Sequence, residues 1–236
     1  ALQIPMFGLY GACSTSGEAL ALASMSAAAG YGGTMIAVTS SHFGSAEKEF
    51  RFPLGYANQR PLSSHWTVTG SGAFLVQSAE EYRKQNTKSY FSNIRITGVT
   101  VGKIVDYGLK DSQNMGACMA PAAMDTIVQN FQDMERKEKD YDRIITGDLG
   151  SIGRTILFDL IREKGYDICE KHMDCGMTIF DKERQDTHAG GSGCGCAAVT
   201  LASYVLPKLE KGEWKRVLFV PTGALMSTVS FNEGAS

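Results

Sequence analysis

A chain of 236 residues, 43% of them hydrophobic, has ample material for a core, and its formal net charge of −2 argues against nucleic acid as the main partner. No run of about 18 apolar residues appears, so nothing in the sequence spans a membrane by itself, and no signal-peptide pattern is recognised. The 6 cysteines (Cys13, Cys118, Cys169, Cys175, Cys194 and Cys196) follow no secreted-scaffold spacing. Cys194-Gly195-Cys196 has neither a C-x-x-C partner nor a spaced histidine pair, so reduced, buried thiols are expected rather than a metal site.

The chain begins at Ala1 almost on a core strand, which reads as an N-terminal truncation. An apolar approach from Phe7 ends at Gly11, and Cys13 stands where a thin, alanine-rich helix begins and runs toward Gly30. Ser14 or Thr15 is placed to cap that helix, and Glu18 suits the positive end of its dipole. A cysteine at a helix start has its thiolate favoured, so the elbow has the geometry of a nucleophile. Without chemistry it is also the geometry of an anion pocket.

Thr34 to Ser40 reads as a buried strand. The irregular stretch Ser41 to Thr67 holds His42, Arg51, Tyr56, Arg60, His65 and Trp66, and long loops of this kind often carry function. Val68 to Val76 and Ile94 to Val101 read as strands, with the charged segment Glu80 to Lys88 as a solvated turn. Pro121 near its first turn predicts a helix from Met119 to Phe131, with Met119 and Met124 in the core. Ile144 to Asp148 reads as a strand entering a glycine turn, followed by an amphipathic helix Ser151 to Glu163 closed by Gly165. Met177 to Phe180 reads as a strand, Gln185 to Cys196 as a second small-residue elbow opening a helix through Leu209, and Arg216 to Ala224 as a last strand and turn.

Alternating strands and helices predict an α/β fold with a parallel or mixed sheet covered by helices. Gly11, Gly147 and Gly223 mark strand or turn ends where ligands bind in such sheets.

The G-A-C-S-T elbow, the V-T-G-S-G-A strand, the later strand-to-turn site and the G-G-S-G helix start together resemble the thiolase-fold superfamily of ketoacyl synthases and thiolases. Within it, several motifs resemble the stage V sporulation protein AD family of endospore formers. They are Thr39-Ser40-Ser41-His42, Phe50-Arg51-Phe52-Pro53, Met119-Ala120-Pro121-Ala122-Ala123, Thr146-Gly147-Asp148-Leu149, Asp174-Cys175-Gly176, Ala189-Gly190-Gly191-Ser192-Gly193-Cys194 and Thr222-Gly223-Ala224-Leu225. The resemblance extends over essentially the whole chain.

It implies two pseudo-repeated βαβαβαββ halves and a layered α-β-α-β-α core. Residues 1–109 would be the C-terminal part of the first half, which is incomplete here, and residues 110–236 the second half without its extreme C-terminus. A condensing enzyme of this superfamily sets a histidine, with an asparagine or second histidine, against its cysteine to stabilise an oxyanion. This sequence keeps Cys13 but has Asp148 at the histidine position and no Asn or His beside Ser192. His188 precedes the glycines. An anion at Asp148 opposes both a thiolate and an oxyanion, so condensation chemistry reads as lost.

The resemblance implies instead a non-enzymatic pocket for dipicolinic acid, with calcium, taken up into the developing spore. Its ligand-binding residues would be Cys13, Asp148, Ser192, His42 and Arg51, with no cofactor and no catalytic residue. The partners it implies are the other stage V sporulation A-type membrane proteins and a second copy in a homodimer, at a cytoplasmic or peripheral position on the forespore membrane. The alternative is a residual acyltransferase or thioesterase of the ketoacyl synthase III type using Cys13. Each residue also has a purely structural reading: Cys13 as a small buried residue, Asp148 and Ser192 as helix caps, Arg51 and Arg60 at a surface or interface.

Overall fold

The structure, a computed structural model, describes residues 3–44, 59–85 and 93–224. Its elements are α1 (Thr15–Ala28), β1 (Thr34–Ser41), β2 (His65–Thr67), β3 (Gly70–Gln77), α2 (Ala79–Gln85), α3 (Met115–Asp133), β4 (Arg143–Thr146) and α4 (Gly150–Glu163). There follow β5 (His172–Asp174), α5 (Cys175–Thr178), α6 (Lys182–Gln185), β6 (Gly190–Ser192) and α7 (Cys194–Thr200). A π-helical turn, Leu201–Val205, then leads into α8 (Leu206–Glu210), and β7 (Val217–Val220) closes the order.

The central sheet is three-stranded and parallel in the order β5-β4-β7. Successive residues of β4 point to opposite faces, and its two isoleucines divide the core accordingly. Ile144 packs with Met119, Ile127 and Phe131 of α3 and with Leu157 and Ile161 of α4. Ile145 packs on the other face with Cys196, Ala197, Leu201 and Val205 of the α7 region. Beyond α7 and α1 lies an antiparallel ribbon of β1 and β3, paired from Thr34↔Gln77 to Ser41↔Gly70. The stack is therefore helix, sheet, helix, sheet, with α1 and α7 held between two β layers. The alanines Ala19, Ala23 and Ala27, spaced one turn apart, let α1 lie close to the ribbon, where Ala37 meets them.

Several sequence expectations change. β1 is half-buried rather than buried, since Ala37 and Thr39 face inward while Ile36 (50%) and Val38 (59%) are exposed. Ile94 to Val101 has the β-branched alternation of a strand but forms none, because no described strand offers it a ladder. The charged segment after β3 is the helix α2, supported by the Glu80–Lys84 pair at i,i+4. The helix around Pro121 begins earlier, at Met115, because the Asn114 side chain caps it by accepting the Ala117 N–H at 3.1 Å. Met177 to Phe180 is not a strand. The strand is β5, three residues upstream, and the Asp174 carboxylate starts α5 by accepting the Met177 N–H at 3.1 Å. No helix among the described residues is long and apolar enough to cross a membrane.

Candidate functional site

The elbow before α1 is built by its own hydroxyls. Neither Ser14 nor Thr15 caps the helix. Instead, Thr15 Oγ1 accepts the Gly11 N–H at 3.1 Å and donates to the Ala12 carbonyl at 2.6 Å, while Ser14 Oγ donates to the Glu18 carboxylate at 2.6 Å. These bonds hold Ala12 at a φ of 50°, a left-handed conformation that costs a residue with a Cβ on the order of 1 kcal/mol. Cys13 follows, 5% exposed, at the mouth of the helix.

The second elbow meets the first. Gly193, at a φ of 109°, turns the chain from β6 into α7, and Cys194 Sγ donates to the Ala12 carbonyl at 3.0 Å. The third loop closes from β7. A Cβ on Gly223 would collide with the Gly11 carbonyl and stand 3.3 Å from the Cys13 nitrogen, so only glycine allows this approach. Gly147 is packed on the same loop, where a Cβ would stand 3.2 Å from Pro221 Cα. Gly11, Gly147 and Gly223 thus converge.

Asp148 is 1% exposed, and its Oδ2 accepts the Gly193 N–H at 3.0 Å. Ser192 is fully buried on β6, which pairs with β2. Burial and the nearby Asp148, Cys175, Asp174 and Cys13 together hold the Cys196 thiol well above its ordinary range. Cys13 and Asp148 thus both act on the Cys196 thiol, and Ser192 directly precedes the Gly193 whose N–H Asp148 accepts.

His42 is not among them. Alternation along β1 turns Ser41 inward and leaves His42 exposed. It is Ser41 whose hydroxyl donates to the Val68 carbonyl at 2.6 Å and accepts the Gly195 N–H at 2.9 Å. Arg51 lies outside the described residues. Arg60 is structural here. Its guanidinium lies over the Trp66 ring, 4.2 Å from the centroid, and Nη2 donates to the carbonyl and carboxylate of Asp186. His188 points away from the elbows, with Nδ1 2.8 Å from the Pro61 carbonyl and Nε2 3.2 Å from the Asp186 carboxylate.

The N-cap positions of α4 and α7 fall on Leu149 and Gly193, one residue beyond Asp148 and Ser192. The carboxylate at the start of α4 belongs to Asp174, which accepts the Leu149 and Gly150 N–H groups at 2.9 and 3.2 Å and the Thr146 hydroxyl at 2.7 Å. Sequence reasoning missed Asp174 and Ser41. The Asp174-Cys175-Gly176-Met177 order was a readable cap signature, whereas Ser41 was marked only by the parity of β1.

The stage V sporulation protein AD (SpoVAD) family matches residues 1–236. Over 226 residues the chain is 44% identical to Stage V sporulation protein AD of Bacillus subtilis (strain 168), an alignment covering 96% of this chain and 63% of that relative. The chain thus spans less than two thirds of that relative's length. Among solved structures, AbyA1, a tetronic acid condensing enzyme, is similar with a TM-score of 0.51 at 14% identity, over 90% of this chain and 63% of AbyA1. That likeness establishes a thiolase-like fold.

Proposed function

The chain belongs to the stage V sporulation protein AD family, and on that premise we propose that it serves spore formation as a binding protein rather than as a catalyst. Its ligand in this reading is dipicolinate, carried with calcium toward the developing spore.

One observation carries the proposal: the carboxylate of Asp148, buried and fixed by the Gly193 N–H at 3.0 Å, occupies the group of loops around Cys13. An acyl-transfer site needs hydrogen-bond donors aimed at a developing oxyanion. A carboxylate is an acceptor and, once its own negative charge is counted, repels that oxyanion. The chemistry of condensation is opposed there, while the helix start beside Cys13 still favours a ligand carboxylate. Calcium arriving with a dicarboxylate would offset the repulsion between ligand and Asp148, because a hard cation takes oxygen ligands from both.

The assembly proposed around this pocket is a homodimer at the forespore membrane, working with the membrane proteins of the same stage V system.

Isothermal titration of the intact protein with dipicolinate, with and without calcium, tests the reading. Saturable binding that is lost in Cys13→Ala, Asp148→Ala or Ser192→Ala is expected. Absence of binding under both conditions overturns it, as does a stable acyl adduct on Cys13 after incubation with acyl thioesters.

A further inference from the structure

A recess of about 320 Å³ lies beside β5 and is bordered by Arg143, Arg154, His172, Asp174, Tyr204 and Trp214. Cys13, Asp148 and Ser192 do not border it. Its volume is that of a small-ligand site.

Its charge is unbalanced. Among the described residues neither arginine forms an ion pair. The Nε of Arg154 is buried with no hydrogen-bond partner, although a guanidinium is expected to satisfy its donors when taken out of water. Arg143 gives one N–H to the Asp142 carbonyl at 2.7 Å and keeps the rest of its fork.

The carboxylates at hand are already committed. Asp142 accepts the N–H groups of Lys215 and Arg216 at 2.6 and 2.9 Å, and these bonds hold its carboxyl below the ordinary range. Asp174 accepts three backbone N–H groups and the Thr146 hydroxyl. The walls pre-orient the cations, since Arg143 lies over Trp214 at 5.4 Å and Arg154 over Phe158 at 5.9 Å. A guanidinium stacked on a ring keeps its edge donors free for bidentate contact.

His172 reports the same field. It packs edge-on to Phe158 at 5.1 Å and lies 3.0 Å from the Thr146 hydroxyl, and burial together with the Arg154 charge lowers its pKa to about 4.

We propose that the recess between Arg143 and Arg154 binds a compact oxyanion, a phosphoryl or carboxylate group held by the two guanidinium forks beside Trp214. The site is separate from the elbow pocket.

With Trp66→Phe, Trp214 is the single tryptophan of the chain, so its fluorescence can follow titration of the intact protein with inorganic phosphate or acetate, sodium chloride holding the ionic strength. A saturating change is expected, weakened at least tenfold in Arg143→Gln and Arg154→Gln. Saturation by phosphate alone identifies a phosphoryl site, and saturation by acetate identifies a carboxylate site. A linear response indistinguishable from that to chloride overturns the proposal, as does saturation undiminished in both variants. A readout that needs no variant is the His172 imidazole followed by NMR: bound anion raises its pKa, and an unmoved titration also overturns the proposal.

Discussion

The Asp148 carboxylate accepts the Gly193 N–H at 3.0 Å and so ties the turn after β4 to the start of α7, 45 residues further along the chain. This buried bond joins the turn after β4 to the second elbow. Replacing Asp148 by alanine leaves the Gly193 donor stranded, which costs about 1–3 kcal/mol. Asp148→Asn keeps an acceptor oxygen and is expected to lose distinctly less. Chemical denaturation of the two variants measures the difference. Equal losses would mean that the bond contributes nothing to holding the loops.

Gly223→Ala addresses the same convergence from the third loop. The added methyl meets the Gly11 carbonyl and approaches the Cys13 nitrogen, so the elbow has to shift. Overpacking of this kind destabilises by about 1–3 kcal/mol. Displacement of Cys13 is also expected to weaken dipicolinate binding, whereas Gly165→Ala, which meets no atom within 4 Å although its φ is 83°, serves as a control for backbone strain remote from the pocket. Calorimetry with a dipicolinate titration separates the two effects. Binding unchanged in Gly223→Ala would show that the loop does not shape the pocket.

Much of this arrangement was legible in the sequence because the signals were local. The elbows announce themselves as glycines and small hydroxyl residues at strand ends, and Ile144-Ile145 as a strand buried on both faces. What the sequence hid depends on partners far along the chain. Ile94 to Val101 has a strand pattern but no described ladder, and Glu80 to Lys84 has helix pairs inside a segment too polar to stand out. Asp148 and Asp174 both stand at or just beyond the end of a parallel strand and shortly before a helix. Only the folded loops decide that Asp174 anchors the start of α4 while Asp148 reaches Gly193.

The cysteines divide by burial. Cys175 and Cys196 are fully enclosed, and burial raises both thiols well above their ordinary range, so neither supplies thiolate near neutrality. Cys118, Cys169 and Cys194 are half-buried. Iodoacetamide at pH 8 is expected to modify those three in the folded protein and to reach Cys175 and Cys196 only with denaturant. Peptide mass analysis reads the pattern. Early alkylation of Cys175 or Cys196 would mean that the core shared by α5 and α7 opens readily.

His172 makes stability depend on pH in a defined window. Its pKa falls from an ordinary 6.5 to about 4, first through burial and then through Arg154, so the fold favours the neutral ring. The contribution is complete above 6.5, the unfolded value, and is lost as pH falls toward 4, because the unfolded chain takes up the proton first. The full shift corresponds to about 3 kcal/mol. Asp174 works in the opposite sense: burial raises its carboxyl above the ordinary range, so protonation at low pH relieves a cost in the folded state. The difference between wild type and His172→Gln isolates the imidazole. Urea denaturation from pH 7 to 4.5 is expected to give curves that converge as pH falls, with wild type losing the greater stability. Parallel curves would mean that His172 does not stay neutral in the fold.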